Sequence, residues 1–421
     1  MPAQPVPPSV RRNRWLLPIG IAFLAILVRL AIIVVLPDGR DDLHIYYYFG
    51  SIMEQGLNPY TPPVDGPVSP HYANMSPTNL ALFAATLSLW DSPVALRVLF
   101  ALVDGLIILT IGYLVQRPLP WRRALMWFYA LNPLVLMSLV VMSEDKVVVI
   151  WMTILLVVAI EADKPGASLL LTSVITLYRW LGAFFIAPVA LYFARTWRAF
   201  ALSLALFAAV FALSHIPYWP ENLYVYASRA SRTLFNPPIH SSPTILLARV
   251  GLYSPQIVPL TIFGSLAALY ALFLRRSITL VEMVILSIFL TNISAPELPY
   301  SRILMIALPL LWLVQLTRRR VAILWLATLV AAPFVHADLA TAWVQAWAPL
   351  LEPMVSLLLR QIPNMLLMNL LAVLLVLYYL HDKRAGLVST DTLLDKDSFI
   401  LHWLDRLPPW RWLQSPVSER P

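Results

Sequence analysis

Long apolar stretches separated by short basic segments dominate this chain from residue 15 to residue 380. The first stretch runs from Trp15 to Leu36, close to the roughly twenty residues that an α-helix needs to cross a bilayer. It is too long for the apolar part of a signal peptide and lacks a small-residue cleavage site, which favours a retained membrane helix. The pattern predicts an all-α polytopic membrane protein with roughly twelve transmembrane crossings, most of them about 17–25 residues long. The predicted spans are 15–36, 96–116, 122–142, 146–162, a split pair at 167–178 and 181–194, 199–216, 256–274, 279–294, 302–317, 321–337 and 361–380.

Basic residues between the apolar stretches predict which loops face the cytoplasm, because Lys and Arg are enriched in cytoplasmic loops. Placing every basic cluster inside gives a consistent solution in which both termini are cytoplasmic. Residues 1–14 then form a disordered cytoplasmic N-terminus, 15–381 the transmembrane domain and 382–421 a cytoplasmic C-terminal tail. The clusters are Arg11, Arg12 and Arg14; Arg117, Arg122 and Arg123; Arg195 and Arg198; Arg275 and Arg276; Arg318, Arg319 and Arg320; and Lys383 and Arg384.

One apolar run does not fit a crossing. The run from Asn79 to Trp90 is shorter than a normal span, and a crossing there would move the cluster from Arg117 to Arg123 outside. The run therefore predicts a juxtamembrane or re-entrant helix. Residues 37–95 become one long first outer loop that carries this helix, and long loops in compact proteins are usually functional.

Composition agrees with a membrane setting and excludes several classes of site. With 60% hydrophobic and 12% charged residues and a mean hydropathy of +0.74, the chain has more apolar surface than one soluble core could hide. The net charge of +8 therefore has a topological interpretation, and no nucleic-acid partner is inferred from it. The absence of cysteine excludes a disulfide framework and a thiolate metal site or nucleophile. No glycine-rich nucleotide fingerprint is present, which argues against a nucleotide-sugar donor.

Two acidic pairs lie on the predicted outer face. The first stands in Arg40-Asp41-Asp42-Leu43-His44-Ile45-Tyr46-Tyr47-Tyr48, directly after the first span, where a plain connector would not need carboxylates, a histidine and three tyrosines. The second is Glu144-Asp145, in the sharp turn before the fourth span. Few short turns between apolar helices require two carboxylates, so the two pairs indicate one reaction site. The alternative is that Glu144 and Asp145 only solvate the turn, with Lys146 as a partner.

Ionisable residues inside or beside predicted spans are costly in hydrocarbon and usually face a cavity or a partner. Asp104 lies inside the second span, and Arg29 in the first could neutralise an acid; either could be structural. Arg179 falls between the two halves of the split pair, where short helices leave polar groups facing a shared cavity. Its guanidinium suits a phosphate, because it can bind two oxygens at once. Arg302, at the outer start of a later span, is a second phosphate candidate, with an interfacial anchor as the alternative.

The order of these motifs resembles the C superfamily of integral-membrane glycosyltransferases (GT-C fold). Within it, the chain looks most like the polyprenyl-phosphate-mannose-dependent mannosyltransferases, including the catalytic subunit of GPI mannosyltransferase I and its bacterial relatives. The resemblance covers roughly residues 20–195 and extends weakly to 292–311. The ordered motifs are the outer-loop aspartates and tyrosines, Gly56-Leu57-Asn58-Pro59-Tyr60, the membrane-edge helix, Asn132-Pro133 and the turn at Glu144-Asp145.

The resemblance implies a role for each candidate residue in the transfer of a sugar, mannose, from a polyprenyl-phosphate donor to a hydroxyl on a glycan, lipid or protein acceptor. The family's Asp-x-Asp motif falls on Asp42-Leu43-His44, so Asp42, with Asp41 in reserve, would be the general base of an inverting displacement. Glu144 and Asp145 would orient the acceptor or complete a metal site. Arg179 and Arg302 would hold the donor phosphate, and His44 and Tyr46 would contact sugar or phosphate.

The sequence departs from the family pattern at His44, where the second acidic residue of the motif is missing. Histidine does not supply the oxygen ligand that a hard divalent cation prefers, so binding of Mg²⁺ or Mn²⁺ stays open. A bacterial cell membrane, with the active site on its non-cytoplasmic face, is the expected location. Two other functions stay open as well: a transporter or flippase for a lipid-linked sugar, and an inactive scaffold that keeps the glycosyltransferase fold.

Overall fold

Helices form nearly all of the regular structure, as the apolar pattern predicts. The computed structural model describes residues 8–36, 42–61, 67, 75–141, 143–227, 239–240, 247–248, 250–294, 297–298, 307–332, 349 and 363–404, with backbone alone at 8–15, 239–240, 297–298 and 363–369. Among these residues, the β-structure is one short parallel pairing of Ile239–His240 (β1) with Glu297–Leu298 (β2). The predicted all-α class is therefore confirmed for the described part of the chain.

Four of the described helices are long and apolar enough to cross a membrane, and a bent pair makes a possible fifth. All five coincide with predicted spans. Twelve crossings and cytoplasmic termini remain predictions, because helix length and composition show only these spans. The helices are α1, Pro8–Val35, apolar over Leu16–Val35; α4, Pro93–Tyr113; α10, Trp197–His215; α11, Ile257–Leu274; and the pair of α5, Leu119–Leu131, with Pro133–Val141, bent by 43°.

The bend in the third predicted span arises at Asn132-Pro133. The Asn132 side chain accepts hydrogen bonds from the backbone of Leu134 and Val135 and so starts a new helix at Pro133, which cannot donate to the preceding turn. The second half is α6, Pro133–Val135, followed by a π-helical turn, Leu136–Val141. π-Helical turns inside helices frequently lie at functional sites. This one leads directly into the turn that carries Glu144 and Asp145.

The remaining helices are shorter, and the predicted split pair is found as two helices, although its crossing of the membrane stays a prediction. It breaks at Trp180, whose φ of 61° is left-handed, and a short 3₁₀ turn, Leu181–Phe184, joins its halves. Gly182 is required there, because a β-carbon would meet the Thr176 hydroxyl and the Thr172 carbonyl. The shorter helices are α7, Lys146–Glu161; α8, Pro165–Arg179; α9, Ile186–Phe193; α12, Leu280–Ile293; α13, Arg318–Ala331; α14, Pro363–Arg384; and α15, Phe399–Leu404. Two more 3₁₀ turns are Ile216–Tyr218 and Leu311–Leu313.

The described part of the first outer loop contains two helices, where one was expected. The predicted helix at Asn79–Trp90 is confirmed as α3, Pro77–Leu87, capped by the Ser76 side chain. The other, α2, Leu43–Glu54, was not predicted, so Asp42 and the tyrosines belong to a helix start and not to an extended loop. Its buried positions Leu43, Tyr46, Phe49, Gly50 and Ile52 follow helical spacing, which was the available signal.

A buried polar group joins α1, α4 and α5. Arg29 Nε donates to Asp104 Oδ2 at 2.6 Å, and both side chains are almost fully buried. Arg29 Nη1 also donates to the Ala130 carbonyl at 2.9 Å, and the Tyr129 hydroxyl donates to the same Asp104 carboxylate. These contacts support the structural alternative for Arg29 and Asp104.

We expect Arg29→Gln to lower the free energy of unfolding by about 3–5 kcal/mol, because it leaves the Asp104 carboxylate buried without its cation. The measurement is chemical unfolding of the purified protein in detergent. Arg123→Gln makes the same chemical change at an exposed position and should change stability by no more than about 0.5 kcal/mol. Equal stabilities for the two variants would contradict the structural role of the pair.

Candidate active site

Six side chains that the sequence distributes over about 140 positions meet at one end of α4. They come from the start of α2, the turn before α7, the start of α7 and the end of α8. We call them the acidic cluster, although it includes two cations. Its members are Asp42, Tyr46, Glu144, Asp145, Lys146 and Arg179.

Tyr46 connects the two acidic segments. It lies one helical turn after Asp42, at the spacing that brings side chains i and i+4 together, and its hydroxyl is 3.2 Å from Asp42 Oδ2. The same hydroxyl is 3.1 Å from Glu144 Oε2 and 3.0 Å from Asp145 Oδ1. The ring is buried and packs on Phe83, with ring centroids 5.0 Å apart. Tyr46 is therefore a buried link between carboxylates, and its sugar or phosphate contact stays a prediction.

Glu144, Asp145 and Lys146 occupy the turn between the π-helical segment and α7. Ser143, with a left-handed φ of 58°, reverses the chain just before them. All three side chains are at most 7% exposed. The alternative in which the two acids only solvate the turn is therefore wrong, although Lys146 does contact both of them. A buried charge requires a partner, and the cluster supplies one to each acid.

Asp145 is the partner of Arg179. Arg179 Nε donates to Asp145 Oδ2 at 3.1 Å and Nη2 donates to Oδ1, a bidentate geometry that is stronger and more directional than a single bond. Asn79 Nδ2 donates to Asp145 Oδ2 at 2.9 Å. Both oxygens of Asp145 are thus occupied, which leaves this carboxylate to hold Arg179 in place. Sequence reasoning missed Asn79, because nothing marks it apart from its place in the first turn of α3.

Asp42 and Arg179 are the cluster members that solvent reaches. The Asp42 side chain is 43% exposed and the Arg179 side chain 22% exposed, whereas the other two acids and Lys146 are at most 7% exposed. Arginine carries five N–H donors, and Asp145 engages two groups of the guanidinium. The cluster therefore presents one accessible carboxylate beside one accessible cation. Buried Lys146 contacts the carboxylate, and buried Asp145 contacts the cation.

The pKa shifts of the three acids differ in direction. Burial would raise the pKa of Asp42, but the positive charges of Lys146 and Arg179 outweigh it and lower this pKa below its usual value. Burial would likewise raise the pKa of Asp145, yet Arg179, Lys146 and the hydrogen bond from Asn79 lower it to about 2. Burial does raise the pKa of Glu144, with Asp42 and Asp145 adding to the effect against the opposing charge of Lys146. Asp42 and Asp145 are thus ionised at neutral pH.

His44 is not brought into the cluster. It is exposed and lies two residues after Asp42 at the start of α2, and positions i and i+2 of a helix do not share a face. The expected sugar or phosphate contact at His44 stays a prediction, for a side chain that lies outside the acidic cluster. Asp41 and Arg302 lie outside the described residues, so the reserve base and the second phosphate ligand stay predictions.

A divalent cation does not fit the cluster as it is folded. Hard divalent cations take carboxylate oxygens at about 2.0–2.6 Å, but here the Lys146 ammonium stands among the oxygens of Asp42, Glu144 and Asp145. In the part of the chain that the structure describes, no group of three or more His, Cys, Asp or Glu residues has an arrangement that would hold a metal ion.

The sequence indicated Lys146 only as a partner of Glu144 and Asp145, in the alternative in which these acids solvate the turn. A signal was available, because a cation in the first turn of a helix opposes the helix dipole. Lys146 begins the otherwise apolar α7 at that unfavourable position. Compensating carboxylates nearby were therefore to be expected.

A cavity of about 380 Å³ lies away from the acidic cluster. Its lining includes Arg117, Trp121, Glu161 and Trp312, close to where α4 ends and α5 begins. Arg117 Nη2 contacts Glu161 Oε1 at 2.7 Å, and the Trp312 indole donates to the same oxygen at 3.2 Å. Lys146 of the cluster and Glu161 of the cavity lining begin and end α7, so about 22 Å of helix separates the two regions. The chemistry of the cluster is therefore independent of this cavity.

Comparison of the chain with protein-family models, curated proteins and solved structures gave no match. The resemblance to the C superfamily of glycosyltransferases stays a prediction. The acidic cluster and the apolar helices beside it are the features of the chain that indicate its function.

Proposed function

We propose that this chain is an integral-membrane glycosyltransferase that moves a sugar from a polyprenyl-phosphate donor to a hydroxyl acceptor with inversion at the anomeric carbon. The observation that carries the proposal is the accessible Asp42 carboxylate beside the accessible Arg179 guanidinium. Transfer of this kind needs a base for the incoming hydroxyl and a positive group for the departing phosphate. Asp42 and Arg179 supply that combination.

Asp42 is the general base in this proposal. Its lowered pKa keeps the carboxylate ionised at neutral pH, ready to accept the proton of the acceptor hydroxyl as it attacks the anomeric carbon. The new bond forms between the acceptor oxygen and the anomeric carbon, while the bond from that carbon to the phosphate oxygen breaks. The electron pair leaves with the polyprenyl phosphate. A single displacement of this kind inverts the configuration, whereas a retaining route requires a covalent intermediate.

Arg179 stabilises the leaving group. The bidentate contact with Asp145 fixes the plane of the guanidinium before the donor arrives, and preorganised donors lose little free energy to reorganisation during the reaction. Its remaining donors on the exposed side are those that the phosphate oxygens would meet. Asp145, first expected to orient the acceptor, is assigned here to positioning Arg179.

The same elements support a membrane location. Leu16–Val35 and Pro93–Tyr113 are helices of spanning length, and Arg97 ties their ends together near the cluster by donating to the carbonyls of Leu36 and, at 3.1 Å, of Val140. A donor with a polyprenyl chain would approach such a site from the bilayer. We place the site on the non-cytoplasmic face of a bacterial cell membrane, with roughly twelve crossings and cytoplasmic termini, because the basic clusters then all lie inside. Mannose as the sugar is taken from the family resemblance.

A transfer assay tests the function. Purified protein is incubated with radiolabelled polyprenyl-phosphate mannose and a panel of glycan, lipid and protein acceptors, and labelled product is separated from donor. Label in an acceptor product is the expected result. If the reconstituted protein instead moves the intact labelled lipid between the leaflets of vesicles and yields no product, it is a transporter; if it does neither, it is a scaffold.

The topology is tested independently of the activity. The chain has no cysteine, so single cysteines can be introduced at exposed positions and labelled in intact cells with a reagent that does not cross membranes. Ser88→Cys, next to α3, should react from outside, and Arg123→Cys should react only after the cells are opened. The reverse pattern would overturn the proposed orientation.

A further inference from the structure

Lys146 stands at the centre of the acidic cluster. Its Nζ is 3.4 Å from Asp42 Oδ2 and 3.5 Å from Asp145 Oδ1, and it also contacts Glu144 Oε2. The Tyr46 hydroxyl lies 3.2 Å from the same nitrogen. Three carboxylates and a phenol oxygen therefore surround one ammonium group that is 7% exposed.

In a site that uses a divalent cation, the ion supplies the positive charge that Lys146 supplies here, although the oxygens of Asp42 and Asp145 lie 3.4 and 3.5 Å from Nζ, beyond metal–oxygen distances of about 2.0–2.6 Å. Carboxylates that converge on a point repel one another unless a positive charge occupies it. A metal ion neutralises this repulsion only while it is bound, and its occupancy depends on the metal concentration. A lysine of the chain neutralises the repulsion permanently. Lys146 also differs from Arg179, because its compact ammonium acts as a point charge while the guanidinium is a planar fork. Only the ammonium lies among all three carboxylates.

We propose that the Lys146 ammonium takes the place of a divalent metal ion in the acidic cluster, so that the site works without Mg²⁺ or Mn²⁺. The assignment of this role in sugar transfer rests on the proposed function. Lys146 is a positioning residue in this scheme. It contacts Oδ2 of Asp42 and so directs the carboxylate toward the acceptor, with Oδ1 as the oxygen that accepts the proton.

Direct metal binding tests the inference without any assay of transfer. Purified protein in detergent is titrated with Mn²⁺, and free Mn²⁺ is followed by electron paramagnetic resonance. Lys146→Ala removes the ammonium, so that the three carboxylates can close on a cation, and the variant is expected to bind one Mn²⁺ at least tenfold more tightly than the unmodified protein. Lys146→Arg keeps a positive charge there and should gain no Mn²⁺ site. In Lys146→Ala, a further Glu144→Gln change should remove the gained binding.

Two results would overturn the inference. One is Mn²⁺ binding by the unmodified protein that Glu144→Gln abolishes, since the lysine would then not exclude a metal. The other is a folded Lys146→Ala protein that binds Mn²⁺ no better than the unmodified protein.

The response to a chelator covers the case in which Lys146→Ala does not fold. If the unmodified protein catalyses transfer, EDTA should change the transfer rate by less than twofold. A loss of transfer in EDTA that added Mn²⁺ restores would overturn the inference. If the protein catalyses no transfer at all, the proposed function is refuted. The Mn²⁺ titrations of the unmodified protein and of Lys146→Arg then decide whether a cation at position 146 excludes a divalent metal ion.

Discussion

Replacement of Asp42 by Asn is expected to lower the rate of sugar transfer by about 10²–10⁴-fold, the usual contribution of a general base. Asparagine keeps the shape of the side chain but cannot accept the proton of the acceptor hydroxyl. Because the Asp42 side chain is 43% exposed, the protein should fold normally. The rate is measured with the labelled donor at saturating acceptor, and thermal unfolding of the same sample in detergent verifies the fold.

Asp91→Asn is the matched control for this prediction. Asp91 is another exposed aspartate near the same end of α4, and it accepts a hydrogen bond from Tyr47 at 2.9 Å outside the acidic cluster. Its replacement should leave the transfer rate unchanged. Asp41→Asn identifies whether the neighbouring carboxylate acts as a reserve base. Transfer that survives the double replacement Asp41→Asn with Asp42→Asn would show that neither residue is the base.

The second large effect is expected from Arg179→Gln, which should lower transfer by about 10²–10³-fold through loss of the group that stabilises the departing phosphate. Arg179→Lys should recover only part of the rate, because an ammonium keeps the charge but not the bidentate contact with Asp145. The measurements are the rate at saturating donor and the apparent affinity for the donor. Both should fall, since the phosphate is present in the bound donor and in the transition state.

A structural effect must be separated from loss of phosphate binding, because Arg179→Gln leaves the buried Asp145 without its cation. Arg117→Gln supplies the comparison. Arg117 is 26% exposed against 22% for Arg179, it pairs with Glu161 at 2.7 Å, and it lies near the opposite end of α4. Arg179→Gln should lose at least as much stability as Arg117→Gln, because Asp145 is fully buried whereas Glu161 is 21% exposed. Only Arg179→Gln should lose transfer in samples that remain folded. Parallel losses of transfer in both would contradict a specific role for Arg179.

Several elements of the fold could be predicted from local patterns alone. The lengths of the apolar runs predicted the helices at Leu16–Val35, Pro93–Tyr113 and Ile257–Leu274. The interrupted pattern around Arg179 predicted the break at Trp180. The density of charge in two short segments predicted that the acids at Asp42 and at Glu144 belong together, and the structure does bring them onto one tyrosine hydroxyl.

Other features required knowledge of which faces pack together. The positions of the basic clusters predict an outer loop after the first span, but Tyr46 packs on Phe83 from a helix, α2, on which His44 faces outward. The ion pair of Arg29 with Asp104 joins residues 75 positions apart. No local pattern indicates that these two side chains meet, because either could have found a different partner.

The sequence by itself determined which helices are apolar and long enough to cross a membrane and that two acidic segments lie beside them, because hydropathy and charge are properties of each segment. Only the tertiary structure decided that Asp145 holds Arg179, that Lys146 occupies the centre of three carboxylates, and that Asp42 remains open to solvent. These pairings depend on packing between segments up to about 140 residues apart. In a buried environment the free energy of a charge is governed by its nearest opposite charges, and packing alone selects them.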